Sequence, residues 1–203
     1  MRPPTHLLFT DLETTGLDPR LDGIIEAGFI LTTTDLTVVA AIQSVVRPTE
    51  PAIRRLLADE NLLRMHGANG LLAALGVNCG RAPLGFADHV GPVAAAERLV
   101  TDLLHQHGIG RGMVHIPGSG VAAFDRPFLA RLMPHLNALL HYAPIDVGVL
   151  RRTWQMWTGG DLVTVNRDKT HRAMDDARCH LAEAVAFRHA FARAAGRGMP
   201  IPG

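Results

Sequence analysis

Two carboxylates, one residue apart at the end of an apolar run, constrain this chain more than any other feature. Leu7, Leu8 and Phe9 form the run, and Asp11 and Glu13 follow. Side chains on a strand repeat every second residue, so both acids would face one side where the strand opens to solvent. Two such carboxylates repel each other and resist desolvation, and a divalent cation relieves both penalties. The same residues also suit a strand running into an acidic turn, and the pair alone does not choose between the two readings.

The bulk numbers limit what surrounds the pair. The chain has 203 residues, 47% hydrophobic and 19% charged, which suits one globular domain over 1–195 with a flexible tail at 196–203. A net charge of +1 gives no strong footprint for long duplex nucleic acid. A short nucleic acid needs few phosphate contacts and stays compatible. Lys169 is the only lysine. Arginine suits bidentate phosphate contacts, but a GC-rich genome explains the bias more simply. Cys79 and Cys179 make neither a metal-site spacing nor a disulfide framework, so a reducing cytoplasm is the expected compartment. No apolar run has the length of a membrane span or the form of a signal peptide.

The pattern along the chain predicts an antiparallel meander of three strands, at Leu7–Leu12, Ile24–Thr33 and Thr37–Arg47. Pro51 then starts a helix carrying Ile53, Leu56, Leu57 and Leu63. The glycine-rich stretch 66–92 reads as a short helix near Leu71–Leu75 and a loop. Ala94–His107 has helical periodicity, with Leu99, Leu103 and Leu104 on its apolar side. A fourth strand spans Met113–Ile116, and Pro127 sits in the first turn of a helix reaching Met133. Further helices are expected from Ile145 to Trp157 and from Met174 to Ala194, with the polar residues 165–170 as a loop between them.

Three acidic positions fall at junctions between elements and loops: Asp11 with Glu13, Asp125, and Asp175 with Asp176. Each has a plain reading. Asp125 alone suits the N-cap of its helix, the Asp175–Asp176 pair a helix start, and His171 a surface histidine among eleven. Together, four carboxylates and one imidazole can hold two Mg²⁺ or Mn²⁺ ions, which prefer oxygen ligands. Such pairs of ions clamp the attacking and leaving oxygens of a phosphoryl displacement. A nearby histidine can take a proton from the attacking water near neutral pH. That role predicts activity that falls as pH drops through the histidine range.

The stretch Phe9-Thr10-Asp11-Leu12-Glu13-Thr14-Thr15-Gly16-Leu17 resembles the first motif of the DEDDh 3′→5′ exonuclease superfamily, which is DnaQ-like. Ser119–Leu129 resembles the second motif. His171-Arg172-Ala173-Met174-Asp175-Asp176 resembles the third, in which the histidine precedes the aspartate by five positions and so selects Asp176. The likeness is greatest to the oligoribonuclease branch and runs from Leu7 to about Phe191. It implies an α/β, ribonuclease H-like fold with a mixed five-stranded sheet flanked by helices. It also implies that Asp11, Glu13, Asp125 and Asp176 bind two metals, and that His171 is the general base. Leu17 would wedge against the terminal base, His66 would stack on it, and the backbone at Thr14 would hold the 3′ end.

The sequence departs from that branch around its dinucleotide cap. Tyr142 matches the branch tyrosine, but Ala143 stands where an arginine is usual and Gly148 where a serine is usual. In the branch these groups cap the 5′ phosphate across a dimer interface, so a homodimer is among the expectations. Asn61 replaces a usual tryptophan and Val121 a usual serine. Alanine cannot make a charge-assisted phosphate contact. The expected activity is therefore 3′→5′ exonuclease on single-stranded DNA or short oligonucleotides, with RNA-dinucleotide cleavage as the alternative and a non-catalytic binding module behind both. A haloacid-dehalogenase-type phosphatase would need an aspartate where Glu13 stands.

Overall fold

Alternation along the first strand sorts its side chains onto two faces, and the rest of the fold covers both. The computed structural model describes residues 4–77, 86–87, 89–163 and 170–196. The segments 1–3, 78–85, 164–169 and 197–203, with Cys79 among them, lie outside the described residues, and so does residue 88. Strands β1 (His6–Thr14), β2 (Ile24–Thr33) and β3 (Val38–Arg47) form the expected antiparallel meander. Two short strands, β4 (Gly91–Pro92) and β5 (Val114–His115), join parallel to β3 and β1, giving a mixed sheet in the order β4-β3-β2-β1-β5. A separate parallel pair, β6 (Pro117–Gly118) and β7 (Ile145–Asp146), continues beyond it.

Helices cover the sheet: α1 (Glu50–Ala58), α2 (Glu60–Ala68), α3 (Leu71–Leu75), α4 (Val93–Gln106), α5 (Asp125–Leu132), α6 (Pro134–Leu139), α7 (Val147–Thr158) and α8 (Ala173–Ala194). Leu8 and Leu12 of β1, with Phe29 and Leu31 of β2, bury against Val100, Leu104, Phe128 and Leu136 on one face. Leu7, Phe9 and Ile30 meet Met174 and Ala177 of α8 on the other. Each fully buried side chain of this size contributes about 1.5–3 kcal/mol relative to exposure. Asp11 and Glu13 share the α8 face with Leu7 and Phe9, as strand periodicity requires.

Several elements differ from the sequence expectation. The single helix from Pro51 is two helices, because Asp59 serves both ends of a break. Its N–H donates to the Leu56 carbonyl at 3.0 Å, and its carboxylate accepts from the N–H groups of Asn61 and Leu62 at 2.9 and 3.1 Å. Leu99 is not on the buried side of α4; it is 56% exposed, and Ala96, Val100 and Leu104 form the inward stripe instead. Helix α6 stands where no element was expected. The buried Glu97 caps it from α4, accepting from the N–H groups of His135 and Leu136 at 2.6 and 3.1 Å. Helix α7 begins after Asp146, whose carboxylate accepts from the Val149 N–H at 2.9 Å.

Candidate active site

The end of β1 delivers Asp11 and Glu13 to a cleft of about 240 Å³, and three other elements converge on it. Helix α5 contributes Asp125 and helix α8 contributes Asp176. His171 enters from the residues just before α8, and Leu17, Leu62, Met65 and His66 line the wall. Glu13, Asp125 and Asp176 are buried, whereas Asp11 is half-buried. One donor atom each of Glu13, His171 and Asp176 lies within 4.8 Å of the others. Asp125 is not the N-cap of its helix: Phe124 holds that position, and Asp125 is the first helical residue. The loop before it is fixed by Val121, which is buried in the main core, and by the Gly120 N–H, which donates to Asp146 at 3.1 Å.

Asp175 and Asp176 part company at the first turn of α8. Asp176 faces the cleft. Asp175 faces away and meets Thr170 and Arg178 at 3.2 and 3.3 Å. The five-residue spacing from His171 thus selects the residue that lines the cleft.

What sequence reasoning missed is the apparatus behind His171. Glu26 of β2 is wholly buried, directly across the ladder from Glu13. Arg172 grips its carboxylate through Nε at 3.1 and 3.0 Å and through Nη2 at 2.7 Å. The Ala173 N–H donates to the same carboxylate at 2.9 Å, and Gln43 Nε2 donates at 2.8 Å. Glu26 therefore supplies the cap that α8 lacks from its own chain segment, with its negative charge at the positive end of the helix. Burial alone would push the Glu26 carboxyl up; Arg172, the Ala173 N–H and Gln43 outweigh it and hold the group below the usual glutamate range. The available signal was a lone carboxylate inside the apolar run Ile24-Ile25-Glu26-Ala27.

Close packing makes this contact feasible. Gly28, paired with Asp11, lies beneath the start of α8, and a Cβ there would sit 2.6 Å from the Ala173 carbonyl. Only glycine leaves room for the helix end at that distance. His171 itself has φ 49°, in the left-handed region that β-carbon-bearing residues rarely adopt. Its carbonyl accepts a hydrogen bond from Asn69 Nδ2.

The remaining residues named from the sequence divide into two groups. Thr14 and Leu17 line the cleft, and Leu17 is 81% exposed at its rim. The rim loop is braced by Asp22, which accepts from the Asp18 N–H at 3.0 Å, from Thr15 Oγ1 at 3.3 Å and from Arg55 Nε at 2.8 Å. His66 is on α2, fully buried at the cleft wall. The Thr14 backbone is its polar neighbour, and neither ring nitrogen meets hydrogen-bond geometry among the described residues. Burial lowers its pKa, which keeps the ring neutral at pH 7. Tyr142 is not brought to this cleft: it is 76% exposed and packs on His141, with ring centroids 4.5 Å apart. Among the described residues, no helix is long and apolar enough to cross a membrane.

No family model matches the chain. An oligoribonuclease of Pectobacterium atrosepticum is 34% identical over 188 residues, 93% of this chain and 97% of the relative. One from Hahella chejuensis is 31% identical over 188 residues, 93% of this chain and 96% of the relative. Among solved structures, the zinc-ion-bound form of an E. coli exonuclease I–single-stranded DNA complex superposes with a TM-score of 0.63 at 17% identity. That superposition covers 95% of this chain and 42% of the exonuclease I chain, so it bears on the fold alone. With two curated relatives above 30% identity along nearly their whole length, the chain belongs to the oligoribonuclease family.

Proposed function

We propose that the chain is a metal-dependent 3′→5′ exonuclease releasing nucleoside 5′-monophosphates from single-stranded DNA or short oligonucleotides. The observation that carries this reading is the convergence of Glu13, His171 and Asp176 donor atoms within 4.8 Å, in the cleft that Asp11 and Asp125 also line. This donor set is rich in carboxylate oxygen, which suits hard divalent cations such as Mg²⁺ or Mn²⁺. Asp11, Glu13, Asp125 and Asp176 would hold two ions. Bound there, the ions would supply positive charge to the phosphoryl oxygens in the transition state.

The protein's own groups do the rest. His171 takes the proton of the attacking water at its imidazole. The water oxygen bonds to phosphorus, the P–O3′ bond breaks, and the terminal nucleotide leaves with its 5′ phosphate. Leu17 wedges against the terminal base and the backbone at Thr14 holds the 3′ hydroxyl; His66, expected from the sequence to stack on the base, is fully buried and instead backs the cleft wall. Tyr142, remote from the cleft of its own chain, would serve a substrate held by a second copy in a homodimer.

A second reading, cleavage of RNA dinucleotides, is favoured by the oligoribonuclease relatives. Ala143 and Gly148 weigh against it, since neither offers a side-chain donor to a 5′ phosphate. The test is a panel of end-labelled DNA and RNA, from dinucleotides to chains several-fold longer, with Mg²⁺ or Mn²⁺. Mononucleotide release that Asp11→Ala abolishes supports the exonuclease. A rate that peaks sharply at RNA dinucleotides selects the second reading. No release from any substrate overturns both.

A further inference from the structure

We infer that Glu26 and Arg172 are positioning residues for the hydrolytic step: their ion pair holds His171 in its strained conformation and sets its imidazole against Glu13 and Asp176. The inference rests on the function proposed above for the cleft.

The case starts from cost. Glu26 is 0% exposed and lies opposite Glu13 on the neighbouring strand. Directly opposed side chains on one face of an antiparallel pair sit close together, and like charges there destabilise the sheet. Burying a second carboxylate beside a metal-binding one is expensive, and an apolar residue would fill the sheet at less cost. The expense has a return only if the carboxylate does something an apolar side chain cannot.

What it does is hold the two residues after His171, one by its backbone and one by its side chain. Glu26 Oε2 accepts from the Ala173 N–H at 2.9 Å, and its Oε1 accepts from Arg172 Nη2 at 2.7 Å. On the same C-terminal side of His171, Asn69 Nδ2 donates to the His171 carbonyl, and the Asn69 carbonyl accepts from Arg172 Nη1 at 3.4 Å. The His171 carbonyl and the two residues that follow it are thus tied to β2 and to the end of α2. His171 stands at the head of this held segment at φ 49°, a conformation that persists only where the surroundings over-determine it. Relax the grip and the backbone returns to an ordinary well, carrying the imidazole away from the cleft. The same grip fixes the first turn of α8, and with it Asp176, whose N–H bonds to the Arg172 carbonyl at 3.0 Å.

This role makes a claim that mere stability does not. Loss of the pair should lower kcat while leaving KM for the oligonucleotide nearly unchanged, because Leu17, on the loop braced by Asp22, is untouched. A displacement of a reacting group by an ångström costs about 10²-fold in rate.

The experiment compares wild type with Glu26→Gln, Arg172→Lys and the double variant Glu26→Leu/Arg172→Met. The double variant removes both charges and leaves neither stranded, so it is expected to fold. Arg54→Ala, in an exposed pair with Glu50, is the control. Melting temperature, kcat, KM and amide hydrogen exchange across 170–176 are measured. The expected result for the double variant is a melting temperature near wild type, a kcat about 10²-fold lower, KM within a few-fold, and faster exchange at Ala173. Glu26→Gln keeps an acceptor for the Ala173 N–H and should retain more activity than the double variant. A folded double variant with wild-type kcat and wild-type exchange overturns the inference, as does a loss expressed mainly in KM. If wild type releases no mononucleotide, the functional reading falls by itself. The exchange readout then still decides whether the pair holds the segment.

Discussion

The cleft wall behind His171 and the surface around Tyr142 are built on opposite terms. Behind His171, a buried carboxylate, an arginine, an amide side chain and a glycine without room for Cβ fix one short peptide from several directions. Around Tyr142, the aromatic ring is largely in water, and the neighbouring Ala143 carries no functional group. The first region is over-determined and the second is open. Groups that act on the bond must be held to fractions of an ångström, whereas groups that choose the substrate can be exchanged without disturbing the core.

That contrast has measurable consequences. Replacement of Asp176 by Asn should lower exonuclease activity by about 10³-fold or more, on the scale of removing a principal electrostatic group from a reacting centre. The equivalent change at Asp175, which faces Thr170 and Arg178, should stay within a few-fold. Equal losses at the two positions would erase the distinction that α8 draws between them.

Glu26→Ala should destabilise the fold by about 3 kcal/mol, the low end for a broken buried pair, because Arg172 keeps partial access to solvent. Its pH signature follows from the depressed carboxyl. The stabilisation is fully present above the ordinary glutamate pKa and fades as pH falls through the lower folded-state value. Wild type should therefore lose stability on acidification more steeply than the variant, which urea melts between pH 3 and 6 would resolve. Parallel melts would deny Glu26 this role.

A smaller effect is expected where the molecule is open. Ala143→Arg restores a charge to the surface beside Tyr142, and a charge-assisted contact of about 1.5–3 kcal/mol converts to a gain of about 10- to 100-fold for 5′-phosphorylated dinucleotides over longer chains. Ratios of kcat/KM for the two substrates measure it directly. Gly148→Ser is a less simple repair. A Cβ at 148 would lie 2.4 Å from Ser119 Oγ, which itself accepts from Arg151 Nη2 at 3.3 Å. The position is closed by a neighbour that has taken the space, so an unchanged ratio in Gly148→Ser would not speak for Ala143→Arg.

The sequence made parts of this structure legible and left others hidden for physical reasons. The meander was readable because β-branched runs and short turns act locally, and the shared face of Asp11 and Glu13 follows from strand geometry alone. The break at Asp59 was written in the sequence as a capping residue, but the apolar pattern runs through it and masks it. Helix α6 has only six residues, and its cap comes from Glu97 on another helix, a contact no local pattern announces. Leu99 failed because several leucines share α4 and only the sheet decides which of them face inward. Glu26 went unnoticed for the opposite reason: its partner Arg172 is 146 residues away, so nothing local marks the carboxylate out.

Asp22 gives the rim of the cleft a thermodynamic character of its own. It ties the loop after β1 to itself and to α1 through Arg55, so the loop that carries Leu17 is ordered before any ligand arrives. The entropy of ordering that loop is spent during folding, and each binding event is spared it. A nucleic-acid end meeting Leu17 thus encounters a fixed apolar edge already stripped of much of its freedom, and the fit between edge and base becomes a matter of shape and water release.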